Sequence, residues 1–151
     1  MASPTKQLNS LTVRRIIPAP QALVFDAWTN PEQLKRWSAP GDLVNPLVEV
    51  DLRAGGRYRI DMLAPDGREH RVTGVYRLVD PPRRLVYTWF WETNPSLGEM
   101  LISVDFHDHG AETEVVLEHS LLPSPEAATN HERGWAGCLL KLERLFPGTS
   151  A

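Results

Sequence analysis

The most constraining feature of this chain is the order of its hydrophobic patterns. Six consecutive segments carry apolar residues at every second position, and one long amphipathic helical pattern, from Ser124 to Phe146, follows them. Strands in direct succession predict an antiparallel meander, which curls because strands twist. The concave face of such a sheet needs an apolar cover. Because the only long helix comes last, we predict an α+β fold in which the sheet wraps around that helix.

Glycine and proline turns separate the six alternating segments. Gly55-Gly56 suits the first hairpin, since glycine accepts a positive φ without steric cost. The same alternation predicts which side chains of each strand face the helix. The predicted inward residues are Val48, Val50 and Leu52; Tyr58, Ile60 and Met62; His70, Val72, Gly74, Tyr76 and Leu78; Leu85, Tyr87, Trp89 and Trp91; Met100, Ile102, Val104 and Phe106; and Thr113, Val115, Leu117 and His119.

The segments at the two ends of the chain complete this arrangement. A first strand is predicted over 11–17, and two short helices follow it, one from about Gln21 and one from Pro31. In the long helix, Ser124 is a favoured N-cap, and Pro147-Gly148 would end the helix. Its apolar stripe comprises Ala128, His131, Trp135, Cys138, Leu142 and Leu145. Gly134 and Gly137 weaken the helix, which indicates close backbone approach or room left for a ligand.

Composition excludes several classes of protein. The chain has 151 residues and a net charge of −3 with mixed signs, so it shows no basic stripe for nucleic acid. No apolar run approaches the roughly 18 residues of a membrane span. We expect a flexible tail over 1–10 and a single domain over 11–147. Cys138 is the only cysteine, and the N-terminus lacks a signal-peptide core, which predicts a cytoplasmic protein. We expect this protein to be a monomer or a homodimer.

Few residue groups suggest catalysis or metal binding. Asp105, His107, Asp108 and His109 cluster at a turn, but their strand phase and hairpin position favour a solvated loop over a metal site. No nucleophile elbow or phosphate loop is present. The pattern therefore predicts no catalytic residue, metal or organic cofactor. His70 and His119 face inward, where a histidine acts as an acid or base less often than it is simply hydrogen-bonded.

The chain resembles a known family in a series of motifs that covers nearly its whole length. The order of elements is that of the helix-grip fold of the START and birch-pollen-allergen superfamily (SRPBCC). Within it, the chain is similar to the homologues of the activator of the 90-kDa heat-shock-protein ATPase. The motifs are residues 18–28 (PAPQALVFDAW), 31–37 (PEQLKRW), 51–58 (DLRAGGRY), 74–76 (GVY), Pro81-Pro82, 85–89 (LVYTW) and Gly134-Trp135.

The resemblance implies a cavity under the last helix that takes a hydrophobic or amphipathic small molecule. From the residues alone, the inward aromatic side chains fit a packed core as well as a pocket. The superfamily also leaves two alternatives open: a cyclase- or aromatase-like enzyme that uses a cavity histidine or tyrosine, and an interaction module in stress response or chaperoning. The predicted ligand-binding residues are Phe25, Trp28, Trp37, Tyr58, His70, Tyr76, Tyr87, Trp89, Met100, Ile102, His131, Trp135 and Cys138.

Overall fold

A computed structural model describes residues 9–146. Its elements are, in chain order, β1 (Asn9–Ile17), α1 (Gln21–Thr29), α2 (Pro31–Leu34), β2 (Val48–Val50), β3 (Arg57–Leu63), β4 (Glu69–Asp80), β5 (Arg84–Trp91), a short 3-10 helix (Pro95–Leu97), β6 (Met100–His109), β7 (Glu112–Leu122) and α3 (Pro125–Leu145). Every pair of neighbouring strands is antiparallel, in the order β1-β7-β6-β5-β4-β3-β2. The predicted helix-grip fold is confirmed: a curved seven-stranded sheet wraps around the C-terminal helix.

The first and last predicted elements differ slightly from expectation at their ends. β1 begins at Asn9, so the first strand takes up the last two residues of the expected tail, whose other residues lie outside the described part. α3 begins after Ser124, whose side chain accepts a hydrogen bond from the amide of Ala127 at 3.0 Å, as an N-cap does. The helix ends at Leu145, and Pro147-Gly148 lies outside the described residues.

Two positions expected to face inward are exposed instead. The pairing of β4 with β5 shifts between Tyr76 and Leu78, as a β-bulge does. The extra residue reverses the alternation, so Leu78 turns to solvent and Val79 packs against the core. Leu52 is also exposed because β2 ends at Val50.

The buried face of α3 is close to the predicted stripe. Trp135, Cys138 and Leu142 are buried as expected, and Leu139, which the stripe omitted, is fully buried beside them. α3 packs against β1 and β7, and Arg15 of β1 pairs with Glu143 at 3.0 Å. Within residues 9–146, no helix is long and apolar enough to cross a membrane.

Candidate functional site

A pocket of about 340 Å³ lies between the concave face of the sheet and α3. We call this space the central pocket. Its deep end is formed by buried side chains that are mostly aromatic or aliphatic: Trp28, Leu34, Trp37, Ile60, Met62, Tyr87, Trp89, Trp135 and Cys138. Its mouth is marked by exposed polar residues, Thr93 and Asn94 after β5 and Asn130 on α3. The space is therefore apolar in depth and polar where it meets solvent.

Hydrogen bonds fix the indole rings at the deep end. The Trp37 indole N–H donates to the carbonyl of Ala27 at 2.9 Å, and the Trp28 N–H donates to the hydroxyl oxygen of Tyr87 at 3.1 Å. Burial raises the pKa of Tyr87, so its hydroxyl stays protonated at neutral pH. These bonds hold three large side chains in place, which gives the pocket a wall that exists before any ligand arrives.

His131 stands at the mouth in a fixed tautomer. An indole N–H can only donate, and that of Trp91 lies 2.9 Å from Nε2 of His131, which must accept. Nδ1 lies 2.7 Å from the carbonyl of Ala127 and must carry the proton. Burial lowers the pKa of His131, partly offset by that backbone bond. The ring is therefore neutral, and both of its nitrogens are engaged.

His119 lies behind the pocket wall. Trp135 donates its indole N–H to Nδ1 of His119 at 3.0 Å, so the proton sits on Nε2, which faces the sulfur of Met100 at 3.3 Å. Burial, with a smaller effect of the neighbouring His131 ring, lowers the pKa of His119 to about 3. The imidazole is thus a neutral, fully buried connector between α3 and β7.

The wall of the central pocket carries no fixed charge. None of the residues that line it, within the described part of the chain, is an aspartate, glutamate, lysine or arginine. Burial raises the pKa of the Cys138 thiol to about 12, despite the opposing effect of Lys141, so this sulfur stays a neutral thiol. The pocket consequently offers aromatic faces and polar groups, but no carboxylate, lysine or arginine, to whatever occupies it.

Two α3 residues fasten the loop between α2 and β2 to the rim of the pocket. Lys141 donates from its ammonium group to the carbonyls of Ala39 and Leu43. Pro40 packs against Gly137, where an added Cβ would lie 3.5 Å from the proline Cβ. The second glycine of the helix, Gly134, borders the pocket itself, and an added Cβ there would meet only Pro40, at 3.9 Å. Gly137 thus allows the close backbone approach, and Gly134 leaves the room beside the pocket, that were the two alternatives from the sequence.

The structure brings most of the predicted site residues to this pocket. Those that line it are Trp28, Trp37, His70, Tyr87, Trp89, His131, Trp135 and Cys138. They come from α1, the turn after α2, β4, β5 and α3. Whether they bind a ligand stays a prediction.

Five predicted residues do not line the pocket, and their placement there was wrong. Phe25, one helical turn before Trp28, packs edge-on against Phe106 with the ring centroids 5.3 Å apart and does not line the pocket. Tyr58 donates its hydroxyl to the carbonyl of Thr88 at 2.5 Å, and Tyr76 packs against its ring at 5.5 Å. Met100 and Ile102 are completely buried in β6. These residues do face inward, but neighbouring side chains cover them, so they belong to the packed core.

Other lining residues were missed. Ile60, Met62 and Trp91 were predicted to face inward but were not assigned to the site. Ser38, Pro40 and Leu43 come from one loop, and Thr93, Asn94 and Leu97 from another. The first loop, between α2 and β2, has no periodicity that could have indicated its place in the pocket wall. The second loop has no periodicity that could have indicated it.

Comparisons with known proteins agree with this geometry. The family described as "Activator of Hsp90 ATPase homolog 1-like protein" matches residues 18–147. The chain belongs to this family. The AHSA1-like fold is that of the SRPBCC superfamily, which commonly binds ligands. No curated protein matches the chain.

Solved structures show the same AHSA1-like fold. A protein from Chromobacterium violaceum is 27% identical, with a TM-score of 0.84 over 91% of this chain and 96% of that one. An AHSA1-like protein from Aeromonas hydrophila is 25% identical, with a TM-score of 0.75 over 90% of both chains. The AHSA1 protein from Silicibacter pomeroyi, at 24% identity, has a TM-score of 0.82 over 91% of this chain and 96% of that one, a likeness in fold alone.

Proposed function

We propose that this protein binds a small, predominantly apolar molecule in the central pocket. The observation that carries the proposal is the pocket itself, about 340 Å³ with aromatic walls and a polar mouth. Small-molecule sites typically enclose about 300–1,000 Å³ with mostly apolar walls and a few polar groups. A molecule of about two or three rings fits this volume, and burial of its apolar surface would drive binding.

The hydrogen bonds of His119 and His131 support binding rather than proton-transfer catalysis by these two residues. A general base needs a free lone pair directed at the substrate. His131 uses one nitrogen as acceptor and the other as donor within the protein, and His119 lies behind the wall with both nitrogens facing protein atoms. The interaction-module alternative predicts a filled core, whereas the space beneath α3 is open.

A fluorescent binding assay tests the proposal. N-phenyl-1-naphthylamine is a neutral amine with three aromatic rings that becomes bright in apolar surroundings, and we expect it to bind with a stoichiometry of one. The Gly134→Leu variant places a side chain in the pocket. Because nothing but Pro40 lies near the new Cβ and leucine favours a helix, we expect the variant to fold and its affinity to fall about 10-fold or more.

Gly137→Ala is the matched control. It also replaces a glycine of α3, but at a position that faces Pro40 and does not line the pocket. The probe should bind this variant as it binds the wild type. Failure of the wild type to bind, or equal binding by the Gly134→Leu variant, would rule out the central pocket as the site.

A further inference from the structure

The Tyr87 hydroxyl is a buried donor without an acceptor. Its oxygen accepts the Trp28 N–H at 3.1 Å, so its own proton must be directed away from that indole. Among residues 9–146 this hydroxyl donates no hydrogen bond, in contrast to Tyr58, whose hydroxyl donates to a carbonyl. Tyr87 is 5% exposed and lines the deep end of the pocket. A buried donor left unused costs about 1–3 kcal/mol, so an acceptor brought by a ligand would be favoured.

A second donor in the same wall is also unused. The Trp89 indole N–H is buried and has no hydrogen-bond partner among the described residues, and its ring is 6.5 Å from that of Tyr87. The deep end thus has an excess of donors over acceptors. An excess of donors selects for a group with lone pairs, such as a carbonyl, rather than for a plain hydrocarbon.

The lack of charge in the wall limits what that group can be. A carboxylate would accept hydrogen bonds well, but no lysine or arginine among the lining residues would offset its desolvation. Lys141, the nearby cation of α3, is engaged by the carbonyls of the rim loop and does not line the pocket. A ligand ammonium group would likewise find no anion there.

We propose that the ligand is an uncharged molecule whose buried end carries a hydrogen-bond acceptor, of the ketone or quinone kind, that receives the Tyr87 hydroxyl proton. This inference rests on the proposed function, since it specifies the ligand of the same pocket. The hydrogen bond from Trp28 to Tyr87 and the one from Tyr87 to the ligand would then strengthen each other, because a hydroxyl that accepts one hydrogen bond is a better donor for the next.

Three naphthalenes of similar size separate the possibilities: 2-ethylnaphthalene, 2-acetylnaphthalene and 2-naphthoate. Their dissociation constants follow from displacement of N-phenyl-1-naphthylamine. We divide the dissociation constant of 2-ethylnaphthalene by that of 2-acetylnaphthalene. This ratio should fall about 3- to 10-fold in Tyr87→Phe, as expected for loss of one hydrogen bond to the ketone. The naphthoate anion should bind the wild type at least about 10-fold more weakly than the ketone.

Tyr76→Phe is the matched control, since that ring neighbours Tyr87 at 5.8 Å but does not line the pocket. It should leave the ratio unchanged. A readout without any variant is the infrared carbonyl stretch of the bound ketone in the wild type. This stretch should lie below its position in hexane, because a hydrogen bond weakens the carbonyl.

The outcomes distinguish this inference from the proposed function. If the probe and the three ligands all fail to bind, both are wrong. If they bind but the ratio is the same in wild type and Tyr87→Phe, or the carbonyl stretch is that in hexane, the pocket binds ligands without the proposed hydrogen bond. Preferred binding of the anion would also overturn the inference and leave the proposed function standing.

Discussion

Trp135 and His119 join the C-terminal helix to the last strand through one buried hydrogen bond, 3.0 Å from the indole nitrogen to Nδ1. The bond fixes the imidazole as the neutral Nε2–H tautomer, and the Trp135 ring forms part of the pocket wall on its other side. The pair therefore couples the stability of the fold to the protonation state of one histidine.

Acid should destabilise the protein through His119. Its pKa falls from 6.5 to about 3 on folding, so below pH 6.5 the unfolded chain takes up a proton that the folded protein does not. The free energy of unfolding should then decrease by about 1.4 kcal/mol per pH unit from roughly pH 6.5 down towards pH 3. The lowered pKa of His131 acts in the same direction. Urea unfolding at a series of pH values measures this slope.

The control for this prediction is His119→Asn, which keeps an acceptor near the position of Nδ1 and removes the titrating group. The variant should lose less stability than the wild type over the same pH range. If the free energy of unfolding changed with pH in the same way in the variant and the wild type, groups other than His119 would cause the acid sensitivity.

Replacement of Trp135 by phenylalanine should lower the free energy of unfolding by about 2–4 kcal/mol. The change removes the donor for Nδ1 of His119 and leaves that acceptor buried, in addition to the packing loss. Trp89→Phe is a matched comparison, because Trp89 is as buried but its N–H has no partner among residues 9–146. Chemical denaturation should find the Trp89 variant the more stable of the two; the reverse order would contradict the hydrogen-bond argument.

Gly74 should tolerate no side chain. A Cβ at this position of β4 would collide with the carbonyl oxygen of Thr88 and with the ring of Tyr58. A backbone carbonyl cannot move aside by rotation of a side chain, so we expect Gly74→Ala to cost about 3 kcal/mol or more. Gly134→Ala, with free space around its Cβ, should be neutral or stabilise by up to about 1 kcal/mol. Equal melting temperatures for the two variants would disprove this contrast.

Lys141 should hold the rim loop closed. Lys141→Met keeps the aliphatic stem but loses the two hydrogen bonds to the carbonyls of Ala39 and Leu43. We expect amide hydrogen exchange in 38–44 to accelerate about 10-fold, which corresponds to about 1.4 kcal/mol. Lys35→Met, which removes an exposed ion pair with Glu32, should not change exchange in this loop. An unchanged exchange rate in Lys141→Met would show that the loop is held by packing alone.

Most of the fold could be predicted because period-two alternation and helix capping are local signals. Each strand of the meander was recognisable from its own residues, and Ser124 marked the start of α3. The exception, the bulge near Leu78, depends on how β4 pairs with β5. Pairing is a property of two segments, so the alternation in one of them could not reveal it.

The site was less predictable for a related reason. Alternation shows which face of a strand a side chain occupies, but not what lies above it. Tyr87 and Ile102 both face inward, yet one lines the pocket and the other is completely covered. The rim residues Pro40 and Asn94 lie in loops, where no period applies. How far a side chain is covered, and which loops border the pocket, depend on the path of α3 across the sheet, which is a tertiary property.

All five tryptophans of the chain, Trp28, Trp37, Trp89, Trp91 and Trp135, lie in the wall of the central pocket. The tryptophan emission of the protein therefore originates entirely from the surroundings of one space. A quinone-type occupant, which accepts excitation energy, would darken every emitting residue at once, with no distant indole left to dilute the response. The protein thus carries its own optical sensor of occupancy, and its emission spectrum as purified records whether the space is full or empty.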